Sequence, residues 1–313
     1  MSQVAAGTVW NLPNYSGPLF TADETNTPLL TMIGGLSGGG LQTGNFEFPT
    51  ASTYDLPAAA QPAITETASL TAPTAISFVR DQSKNVCQIF HEQVSISYAK
   101  LSTDTRLSGI NTAGATNNAP SEKDFQIARA LEHIARDVEY TCLNGAYQIA
   151  TAANVANKTR GLIELCTVNT VDASSATLTK ALFDALLLEM YTNGAALKNP
   201  VIWCNGFQKQ KISDIYGYAP DSRTVGGVNI QTIETDFGAF GIKLNRFMPA
   251  ATILVADMSV VSPVFQPVPE KGNFFYETLS KTGAAESGQI YGQFGLAHGP
   301  AFMHGTITAL ATS

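Results

Sequence analysis

Residues 121–145 read SEKDFQIARALEHIARDVEYTCLNG and form one long amphipathic pattern. Apolar residues recur there at steps of three or four, the spacing of a single helical stripe: Ile127, Leu131, Ile134, Val138 and Cys142. Charged residues occupy the other faces: Arg129, Glu132, Arg136 and Glu139. Ser121 is a suitable N-cap, and Asn144-Gly145 is a typical stop. The pattern predicts a helix from Glu122 to Asn144, about 34 Å long at 1.5 Å per residue, which could act as the spine of a subunit.

A long excursion precedes this helix. Phe46 and Phe48 alternate with polar residues, and so do Val94, Ile96 and Tyr98, which is the period of half-buried strands. The two segments are predicted to be the legs of one hairpin over residues 46–98, followed by a linker over 102–120. The intervening residues 50–85 form a loop far longer than those that usually join paired strands. Its apolar residues predict ordering against a partner: Leu56, Ile64, Leu70, Ile76, Phe78 and Val79.

The first 45 residues combine prolines and a glycine cluster with large apolar side chains such as Trp10, Leu29 and Leu30. Disordered tails lack such side chains. The segment is therefore interpreted as an extended arm that docks onto a neighbouring copy. Within it, residues 27–33 are predicted to form a short helical turn or a strand, ended by Gly34-Gly35.

An α/β body follows the spine helix. Helical patterns cover residues 180–191 and 207–216, and apolar runs predict strands at 200–204, 242–244 and 252–255. The chain finishes with predicted strands at 274–280, 289–296 and 303–310. The sequence thus predicts an α+β fold.

Composition limits the function classes. The chain has 313 residues, enough for one large domain or two ordinary ones, and 14% of them are charged, against about 25% in average soluble proteins. Much of the surface is therefore expected to be subunit interface, the alternative being a low-charge monomer. The net charge is −7 and no run of basic residues occurs, which excludes an avid grip on nucleic acid.

Cys87, Cys142, Cys166 and Cys204 are widely spaced and are predicted to be reduced, mostly buried residues. No signal-peptide pattern and no apolar stretch of membrane-spanning length is present in the sequence, so a cytoplasm-like compartment and no membrane partner are expected.

The chemistry of a catalytic site is missing from the patterns. Gly35-Leu36-Ser37-Gly38-Gly39 matches G-x-S-x-G, but more glycine follows where a nucleophile elbow needs a helix. The four histidines are scattered: His91, His133, His298 and His304. Hydrogen-bonding roles are expected for His298 and His304, and a solvent-facing or neighbour-facing position for His133. We expect no catalytic residue, no metal site and no cofactor.

The order of arm, long hairpin, spine helix, α/β body and closing strands resembles the major capsid proteins of tailed bacteriophages, which have the HK97-like fold, and in particular their SU10-like group. Four short stretches are similar to that group: Asn85-Val86-Cys87-Gln88-Ile89-Phe90, Asp137-Val138-Glu139 with Leu143-Asn144-Gly145, Thr159-Arg160-Gly161-Leu162, and Glu277-Thr278-Leu279-Ser280-Lys281-Thr282-Gly283.

The resemblance implies a division of the chain: an N-terminal arm (1–45), an extended E-loop hairpin (46–98), a peripheral domain with the spine helix (99–158 and 266–313) and an α/β axial domain (159–265). It also implies that the E-loop lies over an adjacent subunit. The apolar residues expected at subunit interfaces are Trp10, Leu29, Leu30, Phe46, Phe48, Leu56, Ile64, Phe78, Ile89 and Phe90.

The implied function is a structural major capsid protein that self-assembles into hexamers and pentamers of an icosahedral head. The head would enclose double-stranded DNA without a sequence-specific site. Portal, separate scaffolding and decoration proteins are the expected further partners, the virion is the expected location, and assembly is expected in the host cytoplasm.

Three alternatives stay open at this point. An encapsulin-like compartment would need a groove for cargo peptides, which no sequence pattern marks. An α/β enzyme would need a pocket with convergent titratable groups. A tail-tube or β-rich adhesion protein is disfavoured by the spine helix and the α/β body.

Overall fold

The computed structural model describes residues 21, 25–36, 39–99, 101, 122–216, 231–281 and 283–312. Trp10, the predicted linker 102–120, the predicted cap Ser121 and Ser37 of the G-x-S-x-G match lie outside the described residues.

The spine helix, α3, runs over Glu122–Asn144, as predicted. Its buried stripe follows steps of four residues: Ala130, Ile134, Val138 and Cys142. Leu131 was predicted to belong to the stripe but is 39% exposed, because it lies one position off this line. Glu139 was predicted to lie on a face other than the apolar stripe, and it is fully buried there, because other parts of the chain cover a second side of α3 near its C-terminal end.

One side of α3 packs on a five-stranded sheet. Strand β12 (Ala285–Ala297) is its centre and is antiparallel to β4 (Gln88–Ser97) over ten residues, from Gln88 opposite Phe294 to Ser97 opposite Ala285. The inward side chains of these two strands join the core under α3: Phe90, Val94, Ile96, Ile290 and Phe294. The strands are β1 (Leu41–Gln42), β4 (Gln88–Ser97), β10 (Ser262–Phe265), β11 (Phe274–Thr278) and β12 (Ala285–Ala297).

The hairpin over residues 46–98 is paired differently from the prediction. Strand β2 (Glu47–Tyr54) pairs with β3 (Arg80–Val86), in a two-stranded sheet of their own. Val94 and Ile96 do lie in a strand, β4, but that strand belongs to the five-stranded sheet. The alternation over residues 94–98 therefore correctly predicted a strand. The predicted pairing of that strand with the segment around Phe46 and Phe48 was wrong, because a period of two does not identify the neighbouring strand. A short helix, α2 (Glu66–Ser69), lies within the loop.

A six-stranded mixed sheet forms the second layer. Its central strands β6 and β9 are buried at every position, because apolar groups cover both faces. One face packs on the core under α3, and the other on helices α5 (Lys180–Thr192) and α6 (Gly206–Tyr216). In spatial order the strands are β5 (Thr170–Asp172), β13 (His304–Thr308), β9 (Ile253–Asp257), β6 (Pro200–Cys204), β8 (Gly238–Leu244) and β7 (Thr232–Thr235).

Two strands lie across the domain boundaries expected from the sequence. Strand β13 was expected in the peripheral segment but pairs with β9 and β5 of the six-stranded sheet. Conversely, β10 was expected in the axial segment but pairs with β12 of the five-stranded sheet. Both crossings follow from pairing between residues distant in sequence, which local patterns do not report.

The described part of the arm contains helix α1 (Pro28–Ile33), which resolves the predicted choice between a helical turn and a strand. Gly34 ends it in the left-handed conformation, with φ of 115°. Helix α4 (Leu162–Leu165) follows the spine helix and packs against it.

Candidate assembly surfaces

The long loop carries a large exposed apolar surface. Every residue from 54 to 82 is exposed, including seven large hydrophobic or aromatic side chains: Tyr54, Leu56, Ile64, Leu70, Ile76, Phe78 and Val79. We call these seven residues the E-loop surface. So many exposed large apolar side chains in one segment favour an interaction site.

The predicted interface residues divide into three groups. Five are exposed on the single subunit: Phe46 (37%), Leu56 (67%), Ile64 (72%), Phe78 (56%) and Ile89 (49%). Four are buried by the chain itself, within the single subunit: Leu29, Leu30, Phe48 and Phe90. A side chain covered by its own subunit has no area left for a neighbour. Trp10 lies outside the described residues.

The base of the hairpin is attached to the body through Asn85, which is fully buried. Its side-chain NH2 donates to the carbonyl oxygens of Leu296 (2.7 Å) and Arg160 (3.2 Å). Its side-chain oxygen accepts from the backbone N–H of Arg160 (2.8 Å) and of Val86 (2.9 Å). An amide can donate two hydrogens and accept at two lone pairs, so all of its hydrogen-bonding capacity is used.

Neighbouring residues reinforce this attachment. The buried Thr159 hydroxyl donates to the carbonyl oxygen of Val86, and the Thr159 N–H donates to Gln88 Oε1 over 3.3 Å. Phe48 packs with Cys87, Val264 and Ala297 in a small core of its own. We call Asn85, Thr159, Arg160 and Leu296 the hairpin root.

The hairpin root is also joined to the end of the spine helix. The Gly161 N–H donates to the carbonyl oxygen of Gly145 over 2.8 Å. The two backbones are so close that a Cβ on Gly161 would lie 2.5 Å from the Gly145 nitrogen. Glycine is therefore required at residue 161, and residues 159–161 lie between the spine helix and the hairpin.

The arm helix is attached to the spine helix by one carboxylate. Glu139 Oε1 accepts from the Leu29 N–H (2.9 Å) and from the Asn245 side-chain amide (2.5 Å), and its Oε2 accepts from the Leu30 N–H (2.7 Å). Burial raises the pKa of Glu139, and the three hydrogen bonds oppose that rise. These contacts join the arm, the spine helix and the segment after β8 at a single point.

Two buried histidines lie where the chain passes from one sheet to the other. His298 follows β12 and His304 begins β13. His304 Nε2 donates to the His298 carbonyl oxygen (2.6 Å), and His298 Nδ1 donates to the Gly299 carbonyl oxygen (2.8 Å). Burial lowers the pKa of His298 to about 4 and also lowers the pKa of His304. These roles in hydrogen bonding are the ones expected from the sequence.

The four cysteines and His133 lie in the environments predicted from the sequence. All four cysteines are free and buried, as predicted, and burial raises the pKa of Cys87, Cys166 and Cys204 to about 12. His133 is exposed and lies 3.2 Å from Glu92 Oε2.

Within the described ranges, no helix combines the length and the apolar character needed to cross a bilayer. Nor do these ranges bring together three side chains suited to holding a metal ion.

Sequence reasoning did not identify Asn85, Thr159, Arg160 or Glu139 as functional positions. The first three lie in two stretches, 85–90 and 159–162, that carry the family resemblance, and the structure brings those stretches together. Glu139 also lies in such a stretch, 137–139, but its burial was not expected, because a glutamate beside an apolar stripe is usually solvated.

Comparisons with solved structures define the class of protein. The capsid of cyanophage A-1(L) matches with a TM-score of 0.66 at 10% identity, over 96% of this chain and 97% of that chain. The capsid of a native GTA particle matches with a TM-score of 0.60 at 12% identity, over 99% of both chains. The encapsulin SrpI of Synechococcus elongatus matches with a TM-score of 0.55 at 12% identity, over 100% of this chain and 97% of that chain. The fold is that of HK97-like shell proteins.

The chain belongs to the SU10 major capsid protein family, whose model matches residues 2–311. It is therefore a structural protein of the phage virion that assembles into a multimeric shell, and it is not an enzyme. The family match favours a phage capsid over the encapsulin alternative, which rests on a similarity of fold alone. No curated protein matches the chain.

Proposed function

We propose that copies of this chain form hexamers and pentamers that build an icosahedral phage head around double-stranded DNA. The observation that carries the proposal is the E-loop surface, seven large apolar side chains on a hairpin that projects from the body. Head-to-tail contacts between identical subunits close into rings. A projecting apolar loop that covers the next subunit would enlarge the interface well beyond the roughly 1,600 Å² of a standard contact.

The proposed division of labour follows the segments. Residues 1–45 are the arm, 46–98 include the E-loop, the five-stranded sheet with α3 is the core of the peripheral domain, and the six-stranded sheet is the core of the axial domain. The axial domains surround the ring centres. Phe46, Leu56, Ile64, Phe78 and Ile89 contact neighbouring subunits, and Trp10 of the arm does so as well.

The net charge of −7 supports a container that does not bind its DNA tightly. An inner wall dense in lysine and arginine would hold phosphates and oppose packaging and ejection. We propose that the DNA is enclosed without a sequence-specific site, that portal, scaffolding and decoration proteins complete the head, and that assembly takes place in the host cytoplasm.

The test removes the E-loop and keeps the hairpin. Tyr54 and Arg80 are opposite each other at the end of the β2–β3 ladder, so residues 55–79 can be replaced by a two-residue Asn-Gly turn. We expect the variant to keep the far-ultraviolet circular dichroism and melting temperature of the full chain and to form no closed shells. Negative-stain electron microscopy and light scattering measure shell formation.

A finer variant separates loop length from loop chemistry. Leu56, Ile64 and Phe78 are changed together to serine, and the matched control changes Gln61, Thr65 and Thr71 of the same loop to serine. We expect the control to form shells and the variant that lacks Leu56, Ile64 and Phe78 to form none. Normal shells from the shortened variant, or from the variant that lacks Leu56, Ile64 and Phe78, would overturn the role of the E-loop. An unchanged chain that stays a 33.1 kDa monomer under all assembly conditions would overturn shell formation itself.

A further inference from the structure

We propose that Asn85 is a positioning residue that sets the direction in which the E-loop leaves the subunit. The inference rests on the proposed function of the E-loop in covering a neighbour. A loop whose residues 54–82 are all exposed receives no guidance from its own body along its length. Its direction is therefore decided at the base.

The contacts at the base come from two different parts of the fold. Asn85 donates to Leu296, which lies in β12 of the five-stranded sheet, and exchanges hydrogen bonds with the backbone of Arg160 in the segment between α3 and α4. Two anchoring points on separate elements prevent rotation about either one. Phe48 packing and the Thr159 hydroxyl hold the same base, and Asn85 is the side chain that bonds it to both elements.

The second anchor is itself rigid. Residues 159–161 are held against the end of the spine helix by the Gly161–Gly145 hydrogen bond and by the close contact of the two backbones. Arg160 stacks its guanidinium over the Tyr147 ring, 4.5 Å from the ring centroid. The orientation of the spine helix is thus passed to the hairpin through Arg160 and Asn85.

Asn85 is suited to this task because its amide is a flat group with two donors and one oxygen acceptor. Aspartate has the same shape but no hydrogens to donate. In Asn85→Asp the oxygen can still accept from the N–H groups of Arg160 and Val86, while the second oxygen faces the carbonyl oxygens of Leu296 and Arg160. The substitution therefore breaks the bond to β12 and one of the two bonds to Arg160, because two oxygens repel where a hydrogen bond stood, and it keeps the bonds donated by the N–H groups of Arg160 and Val86.

Asn169 offers a matched control. It is also fully buried, and its side-chain NH2 also donates to two carbonyl oxygens, those of Phe302 (2.8 Å) and His304 (2.9 Å). None of those partners lies in the hairpin. Asn169→Asp thus makes the same chemical change at a site that leaves the hairpin root intact.

The experiment measures the hairpin direction in the free subunit by pulsed electron spin resonance. Spin labels are placed on exposed positions, at Ser52→Cys in β2 and at Ala185→Cys in α5. The four native cysteines are buried and do not compete for the label. We expect a narrow distance distribution with Asn85 intact, a broader or shifted one for Asn85→Asp, and an unchanged one for Asn169→Asp.

Shell assembly is the second measurement. We expect Asn85→Asp to lose closed shells while it keeps its helical circular dichroism, and Asn169→Asp to retain them. If Asn85→Asp does not fold, Asn85→Ala takes its place, because it removes the four side-chain hydrogen bonds without placing a charge in the core.

An unchanged distance distribution in the Asn85→Asp subunit, or in Asn85→Ala where that variant replaces it, overturns the positioning role, whatever happens to assembly. Because the distance is measured in the free subunit, failure of the full chain to form shells would count against the proposed function and leave this inference to be decided by the distance alone.

Discussion

At the scale of single residues, a few buried polar side chains connect parts of the chain that are far apart in sequence. Glu139 joins the arm to the spine helix, Asn85 joins the hairpin to two elements, and Asn169 joins β5 to the turn before β13. Each is satisfied mainly by backbone groups. Removal of such a side chain leaves buried N–H or C=O groups unpaired, which costs about 1–3 kcal/mol per group.

The first prediction concerns Glu139. Glu139→Ala leaves the N–H groups of Leu29 and Leu30 and the Asn245 amide without their acceptor. We expect the free energy of unfolding to fall by at least about 2 kcal/mol and the N–H groups of α1 to exchange faster with deuterium. Urea unfolding and hydrogen exchange measure the two effects.

Glu132→Ala on the same helix is the control, because Glu132 pairs with the exposed Arg129. It should change stability by less than about 1 kcal/mol. Slow exchange in α1 of the Glu139→Ala protein would show that the arm helix is held by apolar packing alone.

The second prediction concerns pH. Because burial lowers the pKa of His298 to about 4 in the folded chain, the unfolded chain, with a pKa near 6.5, binds the proton first as pH falls. Stability that is fully present above about pH 6.5 is therefore lost progressively toward pH 4, by about 3 kcal/mol from His298. The neighbouring groups are His304 and Arg160, which also lower this pKa, while Asp257 acts on His304 in the opposite sense.

His298→Asn keeps a donor near the position of Nδ1 and does not titrate. We expect its melting temperature to fall less between pH 7 and pH 4.5 than that of the unchanged chain. His133→Asn is the control, since His133 is exposed, and it should keep the full pH dependence. Equal slopes for the chain with and without His298 would exclude this histidine as the source.

At the scale of elements, the spine helix organises the subunit. Its buried stripe covers the five-stranded sheet, its C-terminal end contacts residues 159–161, and α1 packs on its side. The length of the helix allows one element to contact all three. The same helix also shows the limit of periodicity. A simple apolar stripe predicts that Leu131 is buried and Glu139 is not, whereas Leu131 is exposed and Glu139 is buried.

The third prediction concerns the different burial of Ile134 and Leu131. Ile134 is 2% exposed and Leu131 is 39% exposed, three positions apart on the same helix. Ile134→Asp places a charge in the core without a partner, and we expect no soluble folded protein. Leu131→Asp should give soluble protein with a melting temperature close to that of the unchanged chain. Soluble yield and circular dichroism measure the two effects. Equal behaviour of the two variants would contradict the observation that Ile134, and not Leu131, faces the core.

At the scale of the whole molecule, two layers share one core, because the six-stranded sheet packs one face on residues under the spine helix. The apolar side chains of the two layers are buried within the subunit, whereas those of the long hairpin loop are exposed. On the proposed function, assembly depends on apolar contacts between subunits that each carry a formal net charge of −7.

The fourth prediction follows from this balance. Like-charged subunits repel, and salt shortens the range of that repulsion from about 30 Å at 0.01 M to about 10 Å at 0.1 M. We expect the lowest protein concentration that gives shells to fall as sodium chloride increases over this range, as followed by light scattering. The variant with Leu56, Ile64 and Phe78 changed to serine should fail at both concentrations. A threshold that rises with salt would mean that ion pairs between subunits dominate.

The sequence by itself determined the elements with strong local patterns. The bounds of the spine helix, the buried strand β6, helices α5 and α6 and the long exposed loop all follow from residues close together in the chain. The family resemblance added the class of fold. These features are readable because helix and strand periods act within a few neighbouring residues.

Only the tertiary structure decided which strands pair and which polar residues are buried. The pairing of β2 with β3, the place of β13 beside β9, the burial of Leu29 and Leu30 within the subunit, and the roles of Glu139 and Asn85 depend on contacts across tens to hundreds of residues. A local pattern states which face of an element is apolar. It does not state what covers that face, because the covering group comes from a distant part of the chain.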